Sequence, residues 1–424
     1  MDNRLQQRIT EVSRLQAADF PELAFLGFDS RPLELPMPRG PVRFLRVELP
    51  HRQFLHLHSL ALFDDAGMEL DVRLGKISLS SVHGHGDPDL TRKLLFQTSG
   101  KHDIAFHTKD DQGPWLVVEL AEPLLAEQLL IRNRSGRYAH RAAGIRVSAS
   151  PDGVEWTELY DGARREDQFA TAVAAGNGKD ATKAEIAAAS VAATLLAGRY
   201  GEVAKAIPEK DLRPDEIGSI KRCINQVVLA PQQLEWTSHG VRRSFRYWGE
   251  AEMEDYVALT VDVCRDLAEL SPDVCFGFGS VLSIVRDGEL MKHDDDLDVI
   301  IAFDSAVAPT LHEALALVRD FLVEKEYKVR GKFFSHWHVL RGGKKVDVFV
   351  GIYEGGRIGW FPGTRRALAR DDVFPARSVP FLGSECWIPR EPEKYLATIY
   401  GANWKSPLPG WKHDWDRSSY ADIA

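Results

Sequence analysis

Apolar and polar residues alternate in short runs through the first third of the chain. Arg43-Phe44-Leu45-Arg46-Val47-Glu48-Leu49, Ser59-Leu60-Ala61-Leu62-Phe63, Trp115-Leu116-Val117-Val118-Glu119-Leu120, Gln128-Leu129-Leu130-Ile131-Arg132-Asn133 and Ile145-Arg146-Val147-Ser148-Ala149-Ser150 follow this pattern. Turn residues such as Asp64-Asp65-Ala66-Gly67 separate them. A period of two predicts strands with one buried face, and regular spacing with little helix signal predicts a β-sandwich over residues 40–162. Residues 1–39 read as a helical or extended lead-in. From 163 to 250 the pattern becomes helical, and the Ala-rich stretch Asp180 to Tyr200 is expected to bury Ile186, Leu195 and Leu196. The basic and aromatic segment Trp236 to Trp248 reads as a linker whose aromatic rings dock on neighbouring structure, with a substrate-binding strip as the alternative.

From residue 251 onward helical and strand patterns alternate. Asp255 to Leu270 carries Val257, Val261 and Leu267 at helical spacing, and Val274-Cys275-Phe276-Gly277-Phe278 reads as a short buried strand. Gly279-Ser280 ends that strand, and Val281 to Arg286 reads as one or two turns of helix. Asp296 to Ala302 is the next strand. The expected fold is multidomain α+β: an N-terminal β-sandwich, a helical connector, and a C-terminal α/β domain over residues 251–424.

Composition narrows the class. The chain has 424 residues, 44% of them hydrophobic and 27% charged, with a net charge of −9, which fits a soluble protein of two or three domains and argues against a general nucleic-acid binder. Cys223, Cys264, Cys275 and Cys386 show no CxxC pair or zinc-finger spacing, so they are expected to be buried thiols in a reducing compartment. The polar start of the chain lacks a signal-peptide core, and no apolar run is long enough to span a bilayer, so a cytoplasmic location is expected.

The chemistry is concentrated in His293-Asp294-Asp295-Asp296-Leu297-Asp298-Val299. Adjacent carboxylates repel, and an unpaired buried one is costly, whereas a hard divalent cation requires this kind of oxygen-rich donor set. On a strand, Asp296 and Asp298 share one face and can hold one or two cations. Asp294 and Asp295 lie at the strand's mouth. A strand, a small-residue turn at Gly279-Ser280 and a helix start also let backbone N–H groups approach a phosphate. A Walker-A motif is absent from the sequence.

A third carboxylate is located by hairpin geometry. Ser335-His336-Trp337-His338-Val339-Leu340 and Lys345-Val346-Asp347-Val348-Phe349-Val350 flank Arg341-Gly342-Gly343-Lys344. A two-residue Gly-Gly turn sets His338 opposite Asp347 and His336 beside Phe349, all on one face. An acid within an apolar strand needs compensation, which favours a metal role for Asp347.

Two resemblances follow from these residues. The run Pro114 to Leu120, Ile131-Arg132-Asn133-Arg134, and Gly144 to Trp156 with its Ser150-Pro151-Asp152-Gly153 turn resembles discoidin-type, coagulation-factor C-type modules. That resemblance implies a jelly-roll, galactose-binding-like sandwich that binds or positions a ligand. Independently of it, Asp152-Gly153 is a turn dipeptide and Trp156 a candidate core aromatic. Across residues 253–412, four motifs in order resemble the LicD/fukutin family of the nucleotidyltransferase fold: Gly279 to Arg286, Asp294-Asp295-Asp296-Leu297-Asp298, Asp347-Val348-Phe349, and Tyr395-Leu396-Ala397-Thr398-Ile399-Tyr400-Gly401-Ala402-Asn403-Trp404. Ser283 departs from the family's second glycine, and Lys292-His293 stands where Pro-Trp is usual.

This second resemblance implies a metal-dependent phosphotransferase. It would move phosphocholine, glycerol phosphate or ribitol phosphate from a CDP-activated donor to a sugar hydroxyl of a cell-surface or capsular glycan. Asp296, Asp298 and Asp347 are the expected catalytic carboxylates, and with Asp294 they are the expected ligands of Mg²⁺ or Mn²⁺. Gly279, Ser280 and Arg286 are candidate phosphate contacts, although Arg286 fits a structural pairing with an acid equally well. His338, Lys292 and His293 are candidate substrate contacts. Tyr400 and Trp404 are expected to complete the domain core. Expected partners are a CDP-alcohol or other nucleotide donor and a glycan acceptor, with peripheral association to a polysaccharide-assembly complex. Two other readings stay open: true nucleotidyl transfer to a sugar, alcohol or protein, and a glycan-binding scaffold with an inactive catalytic half.

Overall fold

The computed structural model of the chain describes residues 1–84, 87–97, 102–331, 336–360, 363–407 and 417–423. It divides into two compact units, residues 1–242 and 243–424.

In the first unit, the alternating runs form two antiparallel sheets. One orders its strands Leu33–Pro36, Gln128–Arg132 and Ser59–Phe63; the other runs Thr157–Asp161, Arg146–Ser150, Val42–Glu48, Trp115–Leu124 and Leu74–Leu79. Their inward residues, among them Leu35, Leu62 and Leu129 from one sheet and Val47, Val118 and Val147 from the other, join a single apolar core, as a period-two pattern with one buried face requires. The strand Leu33–Pro36 lies within the segment read from sequence as a lead-in. The Ser150 to Glu155 turn forms as expected: Asp152 Oδ1 accepts the N–H groups of Val154 and Glu155 at 2.8 and 3.0 Å, and Gly153 has φ +79°. Trp156 corrects the sequence reading. It is half-buried, with its ring edge toward Phe44 at 6.5 Å, because the turn carries it to the margin of the sheet.

Helices Asp2–Asp19, Gly162–Ala175, Lys183–Leu196 and Pro214–Ile224 share a second apolar core in this unit. Thr182 and Glu185 form a capping box that starts the Ala-rich helix. Ile186 is 43% exposed, contrary to expectation. The buried face is Ala184, Ala187, Ala188, Val191, Ala192 and Leu195, whose small side chains pack beside Leu5, Ile9 and Val12 of the first helix. Glu166 ties helices to sheet, accepting the Gly144 N–H at 2.7 Å and Arg199 Nε at 3.0 Å. Burial raises the affinity of this carboxyl for its proton against the opposing pull of Arg199. Trp236, from the basic and aromatic segment, is buried here under Lys221.

The second unit is built on a seven-stranded sheet ordered Val274–Phe276, Leu297–Phe303, Lys344–Glu354, His336–Arg341 and Lys328–Gly331, with Arg357–Trp360 and Leu368–Ala369 continuing beside Lys344–Glu354. Leu297–Phe303 and Lys344–Glu354 pair in parallel; the other neighbours are antiparallel. Helices Glu250–Leu267 and Leu311–Glu324 contribute Val257, Val263, Leu315 and Val318 to its core, and Phe245 and Trp248 pack on Tyr256. All four cysteines are buried and free. Among the described residues no helix is long and apolar enough to cross a membrane.

The strand read as Val274 to Phe278 ends at Phe276, and helix begins at Phe278, so Gly279 and Ser280 sit in the first helical turn rather than before it. Gly277 makes this possible. A Cβ there would lie 2.6 Å from Ile300 Cγ2. Gly277→Ala is therefore expected to cost about 1–3 kcal/mol by overpacking, measured as a lower urea midpoint with an unchanged m-value.

Candidate active site

Register assembles the site. In the parallel pair Asp298 lies beside Asp347, and in the hairpin Asp347 lies beside His338. Neighbouring strands are about 4.8 Å apart, so the three side chains form one row across three strands on one face. The hairpin is the one its Gly-Gly turn predicts: Arg341 pairs with Lys344, and Gly342 and Gly343 have φ of +59° and +81°. Ser335, the expected first residue of that hairpin, lies outside the described residues.

Tyr256 holds the entrance of the parallel pair. Its buried hydroxyl donates to the Lys345 carbonyl and accepts the Leu297 N–H at 2.9 Å. Burial first, then the Asp296 charge, keeps its phenol proton well above the ordinary range. On the other side, the Asp298 N–H donates to Ser280 Oγ at 2.7 Å, and Asp298 Oδ2 accepts the Gly279 N–H at 3.2 Å. Phe278 adopts φ +41°, unusual for a bulky residue, and is held by its N–H on Tyr395 Oη at 3.0 Å and its ring against Phe349.

The carboxylates are compensated unequally. Asp347 is 5% exposed and saturated with donors: His338 Nδ1 at 2.7 Å on Oδ1, and Lys345 Nζ at 2.9 Å and His336 Nε2 at 3.3 Å on Oδ2. Burial opposes its ionisation, but the two histidine hydrogen bonds and the Lys345 charge outweigh burial and hold the carboxyl well below the usual range. Lys345 also reaches Asp296 Oδ2 at 2.8 Å. Burial works against its charge, and the two carboxylates more than restore it. Asp298 makes no ion pair among the described residues. Burial, followed by repulsion from Asp296, Asp347 and Asp294, raises its carboxyl well above the ordinary range. The carboxylate oxygens of Asp294, Asp295 and Asp296 come within 4.8 Å of one another. Those of Asp294 and Asp298 flank Gly279, at 3.2 and 3.6 Å from where its Cβ would be.

The remaining candidates separate. Arg286 is engaged by its neighbour Asp287 through two hydrogen bonds of 2.8 Å, the structural alternative for that residue. Lys292 and His293 are exposed, and Lys292 pairs with Glu289 at 3.2 Å. Ser283, in place of a glycine, is buried and accepts the Met291 N–H at 3.3 Å. Trp404 is buried and Tyr400 half-buried. Burial, then the charges of Asp298 and Asp294, hold the Tyr400 phenol in its protonated form. Sequence reading missed Lys345, Tyr256 and the nearness of Tyr400. Lys345 shares a strand face with Asp347, which was a usable signal.

With this geometry in view, one segment of the chain is similar to a known protein family. Residues 273–391 match the family model LicD/FKTN/FKRP, nucleotidyltransferase domain. The LicD match contains Gly279, the Asp294 to Asp298 run, His338, Lys345 and Asp347, and stops short of Tyr395 to Trp404. In a search of curated proteins nothing matched the chain.

The opposite shifts of Asp298 and Asp347 have opposite consequences for stability. A raised carboxyl stabilises the fold below its unfolded pKa, and that contribution is lost as pH rises through the folded value; a depressed one stabilises above the unfolded pKa and loses its contribution as pH falls. In metal-free buffer at pH 7.5, Asp298→Asn should raise the thermal midpoint, and the gain should vanish as pH is lowered toward the ordinary carboxylate range. Asp347→Asn should lower the midpoint, with a loss of about 3–5 kcal/mol for opening a buried ion pair. Scanning calorimetry across pH checks both signs.

Proposed function

We propose that the second unit transfers a substituted phosphate group from a nucleotide-activated donor, a CDP-alcohol, to a hydroxyl of a glycan. The row Asp298, Asp347 and His338 inside the LicD-matched segment carries this reading. The donor set fits a hard divalent cation, Mg²⁺ or Mn²⁺: the carboxylate oxygens of Asp294, Asp295 and Asp296 come within 4.8 Å of one another, those of Asp294 and Asp298 both flank Gly279, and the carboxyl of Asp298 is raised by burial and by its acidic neighbours. Such a cation, when bound, neutralises charge on a donor diphosphate and on the nucleotide leaving group.

The chain's own groups supply the rest. The two histidine hydrogen bonds and Lys345 hold the Asp347 carboxyl below the usual range, which suits it to orienting a neighbouring base. Its hydrogen bond to Nδ1 orients His338, a partly exposed imidazole that is assigned the role of taking the acceptor's proton. Gly279 and Ser280 fix the Asp298 carboxylate and backbone from the first turn of the helix, and so set its direction. The first unit, with its discoidin-like turn, is assigned the role of holding the growing glycan. The four-part division read from sequence, the cytoplasmic location and peripheral association with a polysaccharide-assembly complex belong to the same proposal.

The description of the matching family favours one other reading, transfer of the nucleotide itself. The two differ in which side of the phosphoanhydride is retained. Incubation with isotope-labelled CDP-choline, CDP-glycerol or CDP-ribitol, a glycan acceptor and Mg²⁺ should add the phospho-alcohol mass to the acceptor. Addition of CMP would establish nucleotidyl transfer instead, and no addition of either kind would leave the scaffold reading standing. EDTA and Asp298→Asn should abolish transfer, and His338→Gln should lower kcat about 10²–10⁴-fold, the usual worth of a general base.

A further inference from the structure

We propose that the end of the β-sandwich around His56, His107, Arg134 and Arg141 is a binding site for the phosphate group of a ligand. The site gives the first unit a ligand chemistry of its own. It is independent of the transfer reading of the second unit and shares no residue with it.

The fold gathers this cluster from separate places in the chain. Strands His56–Leu57 and Phe106–His107 pair with His56 directly opposite His107, and the two rings lie 5.3 Å apart. The His83 N–H donates to the His107 carbonyl at 2.9 Å, and its ring is 5.1 Å from that of His107. The arginines come from the segment that follows Arg132, which the buried Asn133 clamps. Its amide donates to the carbonyls of Phe25 at 3.1 Å and Ala139 at 2.8 Å, and its Oδ1 accepts the Arg134 N–H at 2.8 Å. The guanidinium carbons of Arg134 and Arg141 lie 4.5 and 4.4 Å from the centre of the Tyr138 ring, and that of Arg141 lies 4.7 Å from the Phe54 ring. A guanidinium stacked on a ring is fixed in direction, and its fork of donors matches phosphate oxygens. The discoidin-like turn is at the other end of the sandwich. Arg132 pairs with Ser59 at the far end of its strand from Gln128, whereas Ser150 pairs with Phe44, and Val42 with Leu124, which leads by a short loop into Gln128.

Two observations point to an anion. His56 is 1% exposed, and among the described residues neither of its ring nitrogens has a hydrogen-bond partner. An imidazole carries at least one N–H, and a buried one left unbonded costs stability. The surroundings are also of one sign. Burial first, then repulsion from His107, Arg134 and Arg141, lowers the His56 imidazole to about 3. Burial first, with His83 and the same arginines adding to it against a hydrogen bond to Thr108, lowers His107 as well. The exposed acid Asp103 pairs with Arg134 at 2.6 Å. In a chain of net charge −9 this basic cluster is a local exception. A metal does not suit it. Among the described residues these imidazoles do not bring three ring nitrogens within 4.8 Å of one another, and the arginines repel a cation. A phosphate oxygen entering beside His107 would accept from His56, and the others suit two guanidinium forks better than the two oxygens of a carboxylate do.

Isothermal titration calorimetry of the full chain in EDTA, with inorganic phosphate, glucose 1-phosphate and glucose as probes, tests this without reference to activity. Both phosphates should bind and glucose should not. Equal affinity for the two phosphates would support a site that reads the free anion, and tighter glucose 1-phosphate one that reads a phosphorylated sugar. Arg141→Gln should weaken phosphate binding roughly 10–100-fold, the effect of losing a charged hydrogen bond. Arg52→Gln, outside the cluster, should leave it unchanged. His56→Leu should raise the thermal midpoint by removing the unbonded imidazole, and should weaken phosphate binding at the same time. Glucose binding as tightly as glucose 1-phosphate, phosphate affinity unmoved in Arg141→Gln or His56→Leu, or no phosphate binding at millimolar concentration would each overturn the proposal and leave the transfer reading untouched. Should Arg141→Gln fail to fold, His56→Leu, which keeps an apolar side chain in a buried position, carries the test.

Discussion

The second unit depends on one pairing, the parallel register of Leu297–Phe303 against Lys344–Glu354. It sets Asp298 beside Asp347, and two like charges at strand spacing repel by several kcal/mol at the dielectric of a partly buried site. A slip of one residue would relieve this by turning one acid to the opposite face, but it would also expose the Val346, Val348 and Val350 row, which is fully buried. The apolar face therefore enforces the repulsion on the polar one. Tyr256 reinforces the register by bonding a backbone group of each strand, and the hairpin adds His338 and Lys345 where their charge or donors are needed.

Much of this was legible because the signals were local. Alternation gave strands, Gly342-Gly343 fixed the hairpin, and an acid inside an apolar strand marked Asp347. The pairing of Asp298 with Asp347 is long-range, and no local pattern encodes it. Lys345 was overlooked because a lysine near a strand's start ordinarily reads as a solvated edge residue; only the folded register puts its ammonium between two acids. Ile186 and Trp156 misled for a related reason. Large apolar side chains were assumed to be the buried ones, whereas an alanine face allows closer helix packing and a tight turn ends at a sheet margin. Arg286 beside Asp287 shows that an adjacent residue can settle an arginine's partner before any ligand does.

The turn at Gly277, Phe278 and Gly279 carries a conformational cost that the rest of the unit sustains. A non-glycine residue at positive φ costs of order 1–3 kcal/mol. It persists here because Phe278 is locked by Tyr395 and Phe349, and both partners belong to the same apolar core. The return on that strain is placement: it directs the Gly279 N–H onto Asp298 and leaves the Cα face of Gly279 open to the carboxylates of Asp294 and Asp298.

The unequal compensation of the carboxylates then determines what the site can accept. One ammonium shared by Asp296 and Asp347 cannot neutralise both, and Asp298 and Asp294 add further negative charge at close range. The diphosphate donor of the proposed function, itself anionic, would be repelled from such a surface. The protein's own response to the excess is visible in Asp298, whose affinity for a proton is raised first by burial and then by its acidic neighbours. A proton and a divalent cation answer the same electrostatic demand at the same oxygens, so they compete, and only the cation leaves positive charge to spare for a phosphate. Under the proposed function, the acidity that makes this site costly to fold is the property that would let it select a cation before it admits a donor.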